Sequence, residues 1–235
     1  MIPGIVASSN LVPPPLSSYP EVVGLSVSAF GESTSGHSAA LPGSLVAGNL
    51  LLAWVGFVID PADNIGIPSG WTLLSQANHN IVAGRDVQLV VAARIVTGSE
   101  GGSVNFDTEV ASNGAVQIYR LTNWWGSIGT GIAVSTAVGF GGASPNPPQI
   151  SAPWGAANNL IITGGVAGDD DQAWTNQPTN YSHLESTLSG GGADNGASVG
   201  TARRKLVGST DNPGSFTLAS SEGYVLQSVI VRPVT

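Results

Sequence analysis

Apolar and polar positions alternate in short runs along this chain, without the long stripes of amphipathic helices. "VQLVVAARIV" (87–96) is almost continuously apolar, as in a strand covered on both faces, whereas "SVNFD" (103–107) alternates, as in a half-exposed strand. Runs of β-branched residues bounded by Gly, Pro, Asn and Ser are typical of strands. In the first half of the chain this pattern predicts strands at 22–30, 50–59, 71–77, 87–96, 103–107 and 115–121.

Two apolar runs about 110 residues apart have the same surroundings. One follows Asn49 and the other Asn159, and both end in aspartates. Further matches keep the same order along the chain, namely Trp71 with Tyr181, Arg94 with Arg204, and Arg120 with Arg232. The pattern predicts an internal duplication, with repeats at 21–128 and 129–235 preceded by a short segment, 1–20.

The predicted fold class is all-β, with two tandem jelly-roll-like β-sandwiches from the duplication and an extended N-terminal arm. About 105 residues is a comfortable size for one sandwich, which favours a separate sandwich for each repeat. A single larger sandwich shared by both repeats is the alternative that the pattern leaves open.

Composition narrows the function. Only 9% of the residues are charged, 32 are glycine and 15 are proline, and the net charge is −8. This charge argues against a nucleic-acid binder, since the densest basic run, Arg203-Arg204-Lys205, stands alone. Cysteine is absent, so disulfides and thiolate metal sites are excluded, and no cofactor is expected.

The first twenty residues form a segment of their own. They show no basic region followed by a continuous apolar run, and the longest apolar runs of the chain are of strand length, so we expect neither a signal peptide nor a membrane helix. "LVPPPLSSYP" (11–20) favours an extended polyproline arm. The arm is either a leader without a role or an anchor on another protein.

Acidic residues follow both apolar runs, on the loops that leave the two central strands. They are Asp60 and Asp63 in the first repeat and Asp169, Asp170 and Asp171 in the second. Aspartates of this kind are either solvated turn residues or oxygen ligands for Ca²⁺ or sugar hydroxyls. The spacing is not that of an EF-hand, so no metal site is predicted.

Tryptophans on polar stretches are the other candidate binding residues. Trp174 stands beside the three aspartates in "DDDQAWTNQP", and an indole ring can stack on a sugar while acids bond its hydroxyls. Trp124 and Trp125 fall between the repeats and either bind sugar or cover the seam. Trp54, and the position shared by Trp71 and Tyr181, are expected in the core.

Sequence signals for catalysis are weak. "GHSAA" (36–40) is only a partial nucleophile elbow, because its last glycine is missing and no helix follows. A glycosidase needs two carboxylates at a defined separation, and no spacing here indicates them. We therefore expect a protein that is not an enzyme.

The runs "PGSLVAGNLLLAWVGFV", "PSGWTLL", "AARIVTGSEGGSVNF" and "AVQIYRLTN" resemble a family of small β-rich virion proteins of tailed phages and gene transfer agents. So does the closing "GTARRKL … STDNPGSFTLASSEGYVLQSVIVRP". The resemblance covers all but the arm, and its motifs are turns and strands. It implies a fibre, spike or decoration protein on the virion surface, and it supplies no catalytic residues.

The resemblance implies adsorption to host surface polysaccharide, with the arm attached to a capsid or tail protein. Homo-oligomers would raise the avidity of weak sugar sites. The chain would be made in the bacterial cytoplasm and would act without nucleic acid or membrane partners. The alternatives are a purely structural decoration or fibre-base protein without a ligand, and a glycan-degrading spike.

Overall fold

A computed structural model describes residues 18–32, 36–82, 85–191 and 196–234. Most of the anchoring arm predicted at 1–20 therefore lies outside the described residues. Within these ranges the chain forms strands and one four-residue helix, so the all-β prediction is confirmed. The elements are β1 (Glu21–Phe30), β2 (Gly36–Ala40), β3 (Leu50–Ile59), β4 (Thr72–Val82), β5 (Arg85–Ile95), β6 (Ser103–Asp107), β7 (Gly114–Thr122), α1 (Ile128–Gly131), β8 (Ile132–Gly142), β9 (Ile150–Ser151), β10 (Ala157–Asp169), β11 (Trp174–Asn176), β12 (Ser182–Leu188), β13 (Gly196–Gly208), β14 (Thr210–Asp211), β15 (Thr217–Leu218) and β16 (Glu222–Val231).

The strands predicted in the first half of the chain match β1 and β3 to β7. The largest difference is in β4, which continues to Val82 instead of ending near residue 77. β2 was not predicted, because "GHSAA" contains only small and polar residues. The helix α1 is a single turn that links the two halves.

Each half of the chain contributes one five-stranded antiparallel sheet. The order is β1-β7-β3-β5-β4 in the first half and β8-β16-β10-β13-β12 in the second. The two orders are the same once β1 is matched with β8, β3 with β10, β4 with β12, β5 with β13 and β7 with β16. The two halves therefore have the same strand order, and their origin by duplication stays a prediction.

The two sheets pack face to face. One hydrophobic cluster takes its members from both halves, including Leu52 and Trp54 of β3 and Ile162 and Val166 of β10. At Gly56 the sheets are so close that a Cβ atom would lie 2.6 Å from a methyl carbon of Val166. The two halves therefore share a core between their sheets, which is the alternative that the sequence pattern left open.

Polar side chains also join the two sheets inside this core. The Gln117 amide donates to the Val199 carbonyl at 2.9 Å and to the Thr187 hydroxyl at 3.0 Å. The hydroxyls of Tyr119 and Thr201 are 2.5 Å apart. Because buried polar groups must find partners with defined geometry, these bonds fix how one sheet lies on the other.

The outer faces of the sheets are covered by two-stranded ribbons and loops. The β2–β6 ribbon covers the first sheet, while β9–β14 and β11–β15 cover the second. Trp71 and Tyr181 occupy matching places in these outer cores and are 8% and 6% exposed, as the repeat predicted. β3 is buried along its whole length because both of its faces are covered, which explains its continuously apolar sequence.

Candidate functional site

The aspartate loop of the first half has one exposed and one buried acid. Asp60 is exposed, and its carbonyl accepts a 2.9 Å hydrogen bond from the Asp63 backbone in a turn. Asp63 is only 7% exposed. Burial, and then the charges of Glu109 and Asp60, raise the pKa of the Asp63 carboxyl. Asp63 is therefore a buried turn residue and does not face solvent as a ligand would.

The aspartates of the second half lie at the end of β10 and just after it. Asp169 is the last residue of β10, and its backbone pairs with Gly196. Asp171 accepts hydrogen bonds from the Ser189 hydroxyl at 2.7 Å and from the Ser189 backbone at 3.1 Å. Asp170 is half-buried and also has an interaction partner. The Asp171 carboxylate thus holds the loop that follows β12, which is a structural role.

Trp174 was expected on the surface as a sugar-stacking residue, and this expectation is wrong. Its side chain is 2% exposed and packs edge-on against Phe216, with ring centroids 5.1 Å apart. The indole nitrogen donates to the Ser198 hydroxyl at 3.1 Å. A Cβ atom on Gly200 would lie 2.1 Å from the indole, so this glycine makes room for the ring.

The two tryptophans between the repeats have different environments. Trp124 is 5% exposed, and its indole nitrogen donates to the Gly48 carbonyl at 2.9 Å. It also pairs with Pro233, so it covers the seam between the halves, which was the alternative to sugar binding. Trp125 is half-buried, and the guanidinium of Arg232 lies 3.5 Å from its ring centroid. One face of Trp125 is therefore already occupied.

The predicted site residues do not converge. The aspartate loops leave the end of the sandwich where β3 and β10 finish, while Trp124 and Trp125 lie at the end where these strands start. Trp174 is inside the outer core of the second half. Among the described residues, no group of three or more His, Asp and Glu side chains is placed to hold a metal ion.

The structure places a groove at one edge of the sandwich, where β1 lies over β12. The groove has a volume of about 400 Å³. Its lining residues come from both halves of the chain and are Glu21, Val22, Leu160, Ser182, His183, Arg203, Arg204 and Lys205. A second depression continues along the edge and shares His183 and Arg203 with the first, adding Leu25, Tyr119, Leu184 and Glu185.

Arg203 has an unusual position in this groove. It pairs across the strands with Ile162, a member of the shared core, so its side chain starts from the inner face of the sheet. The matching residue of the first half is Ala93, which pairs with Leu52 and is fully buried. An arginine thus stands at a position where the other half has a small apolar core residue.

The guanidinium of Arg203 has no hydrogen-bond acceptor or carboxylate partner within the ranges that the structure describes. Arg203 is nevertheless half-buried. Three other cations of this part of the chain have carboxylate partners, in the pairs Arg94–Glu100 (3.1 Å), Arg204–Asp211 (2.6 Å) and Lys205–Glu21. A half-buried cation without an anion suits a site that receives one from outside.

The neighbours of Arg203 in the groove include a hydroxyl group, an imidazole ring and a phenol. His183 is exposed and lies 2.8 Å from the Ser182 hydroxyl, and its backbone is left-handed, with φ 58°, beside an irregularity in the β12–β13 pairing. Burial raises the pKa of Tyr119 to about 12, although its bond to Thr201 and the charge of Arg203 oppose the shift. Tyr119 therefore stays neutral at ordinary pH.

The opposite edge of the sandwich, where β4 lies over β8, is held closed by hydrogen bonds; we call it the tied edge. The hydroxyls of Ser75 and Thr136 are 2.8 Å apart across this edge, and the Gln227 amide donates to Ser75 at 3.1 Å. The two edges of the sandwich thus differ, and the groove with Arg203 belongs to one of them.

"GHSAA" forms strand β2, so no nucleophile elbow is present at these residues. His37 is fully buried between Phe30 and Phe57 and lies 3.0 Å from the Thr108 hydroxyl. Burial lowers the pKa of the His37 ring, against the nearby charge of Asp107. Its role is packing of the outer core.

Sequence reasoning missed the groove, because its residues come from β1, β10, β12 and β13. A signal was nevertheless present. In "GASVGTARRKLVG" the apolar alternation of β13 is interrupted at Arg203, whose matching residue in β5 is the buried Ala93. By itself, the run Arg203-Arg204-Lys205 indicates only that the chain lacks the broad basic surface of a nucleic-acid binder.

Comparisons with known proteins give no relatives. No family model, no curated protein and no solved structure matches this chain. Within the described residues, no helix is long and apolar enough to cross a membrane.

Proposed function

We propose that this protein is a non-enzymatic virion surface protein, of the fibre, spike or decoration type, that binds host cell-surface polysaccharide. The proposal rests on the groove between β1 and β12, which the half-buried Arg203 lines from the inner face of the sandwich. The family resemblance of the strands and turns supports the virion assignment.

The chemistry of the groove suits a sugar ring. Sugars have an apolar C–H face and a rim of hydroxyls, and they bind where apolar side chains lie beside a few fixed polar groups. Val22 and Leu25 supply apolar surface. Arg203 supplies hydrogen-bond donors on the same walls, and Ser182 adds a hydroxyl group. A volume of about 400 Å³ is in the usual range for small-ligand sites.

The arm at 1–20 would attach the protein to a capsid or tail partner, and homo-oligomers would add avidity. The chain enters the sandwich beside the groove. Glu21, the first residue of β1, forms an ion pair with Lys205, whose nitrogen also lies 5.5 Å from the centroid of the Tyr19 ring. Residues 18–20, which lead into β1, therefore lie at the same end of the sandwich as the groove.

The test is a glycan array together with an adsorption assay on host cells, using the purified protein and a variant with a filled groove. Ser182→Trp places an indole in the groove from an exposed position of β12. Thr72→Trp is the matched control, because Thr72 holds the equivalent exposed position on β4 at the tied edge. We expect glycan and cell binding to fall at least tenfold in Ser182→Trp and to persist in Thr72→Trp.

Equal binding by both variants would remove the groove as the site. Release of sugar products by the wild-type protein would indicate a glycan-degrading spike. Absence of any glycan or cell binding by the folded wild-type protein would favour a purely structural component.

A further inference from the structure

We infer that the ligand of the groove is an acidic polysaccharide, whose sugar carboxylate binds to the guanidinium of Arg203. The inference rests on the proposed function and names the class of glycan. It makes Arg203 the residue that determines specificity.

The first argument concerns charge. The chain has a net charge of −8, so its overall field repels an anionic polymer. Binding of such a polymer would have to come from a local cation. Lys205 and Arg204 line the groove, but their charges are offset by Glu21 and Asp211. Within the described ranges, Arg203 is the groove cation that forms no ion pair with a carboxylate.

The second argument concerns geometry. The guanidinium group is planar and presents paired N–H donors that match the two oxygens of a carboxylate. Ser182 and Val22 line the same groove, so a ring held by its carboxylate would have both a hydroxyl partner and apolar surface beside it. Glu185 lies along the extension of the groove and would repel a ligand that carries further negative charge there. A single carboxylate per sugar fits this balance.

The third argument is the cost of placing a cation at this position. An arginine that starts from the inner face next to Ile162 gives up part of its hydration, and no carboxylate of the described residues lies within ion-pair distance of it. The matching position in the first half carries Ala93, which packs in the core. The fold therefore does not require arginine at this position, and an incoming carboxylate gives it a role.

The experiment measures binding of the full-length protein to immobilised polygalacturonate, dextran and dextran sulfate at several salt concentrations. Arg203→Gln removes the charge and keeps most of the length. Arg203→Lys keeps the charge without the planar pair of donors. Arg85→Gln is the control, because it makes the same change in net charge at the first residue of β5, at the opposite end of the sandwich.

We expect the wild-type protein to prefer polygalacturonate, with binding that weakens as salt rises. Arg203→Gln should lose at least tenfold in affinity and most of the salt dependence, Arg203→Lys should retain part of both, and Arg85→Gln should match the wild type. Unchanged binding in Arg203→Gln, or a wild-type preference for dextran or dextran sulfate, would overturn the inference of a sugar carboxylate on Arg203 and leave the proposed function standing. A folded wild-type protein that binds no glycan and no cells would overturn both.

Discussion

The shared core makes a sharp prediction at Gly56, where the two sheets approach most closely. A Cβ atom at this position would lie 2.6 Å from Cγ2 of Val166 and 2.7 Å from Cγ2 of Val199, both on the opposite sheet. Such separations are too short for real carbon contacts, so Gly56→Ala must push the sheets apart or force valine rotamers. Overpacking of this kind costs about 1–3 kcal/mol of the free energy of unfolding.

Val166→Ala removes the nearest clashing methyl group and should partly relieve the strain. Alone it removes two buried methyls and costs about 1–3 kcal/mol. If the sheets share one core, the double variant should be more stable than the sum of the single changes predicts, with a coupling of about 1 kcal/mol. Equilibrium urea unfolding of the four proteins gives this coupling from midpoints and slopes.

The control for this cycle is Gly114→Ala. A Cβ atom there would lie 2.1 Å from the ring of Phe57, which belongs to the outer core of the first half. Its cost should add to that of Val166→Ala within about 0.5 kcal/mol, as expected for separated sites. If Gly56→Ala is equally additive with Val166→Ala, or is harmless, the halves do not share a close-packed core and the reasoning fails.

Two further predictions concern Trp174 and Glu100. Trp174→Ala should lower the free energy of unfolding by about 3–5 kcal/mol, measured by urea titration, and leave glycan binding per folded molecule unchanged, because the ring is buried away from the groove. Burial opposes ionisation of Glu100, but hydrogen bonds from Thr97 and Gly98 lower its pKa to about 2 from an ordinary 4.5. Its stabilising effect is therefore complete above pH 4.5 and is lost as the pH falls towards 2. Glu100→Gln should destabilise at pH 7 by about 1.5–3 kcal/mol and flatten the decline of stability between pH 4.5 and 2, and an unchanged acid profile would refute this assignment.

The local pattern of apolar and polar residues was sufficient to predict the strands and the turns between them. Burial of β3 could be predicted from its continuously apolar run, and burial of Trp71 and Tyr181 from their matching aromatic positions. The pattern could not decide how the sheets pair, because a strand that is apolar on both faces fits a core closed by a ribbon as well as a core closed by a second sheet. That choice depends on contacts between residues more than 100 positions apart, such as Gly56 and Val166.

The errors at the site have the same origin. Trp174 lies in a polar stretch, and its neighbours in the sequence indicate a loop, whereas its burial depends on the distant Gly200 and Phe216. Arg203 was visible as part of a basic run. Its unusual position on the inner face is recognised only from the strand register, which pairs it with Ile162. Residues whose function depends on register are therefore the hardest to recognise from sequence.

The matching topology of the two sheets has a consequence for specialisation. Two sheets with the same strand order that face each other, with β1 over β12 and β4 over β8, are arranged like the subunits of an isologous dimer. In a dimer of identical chains every substitution occurs twice, so an arginine introduced at one edge would also appear at the symmetry-related edge. In a single chain Arg203 and Ala93 vary independently. One edge can then hold the two sheets together while the other carries the groove.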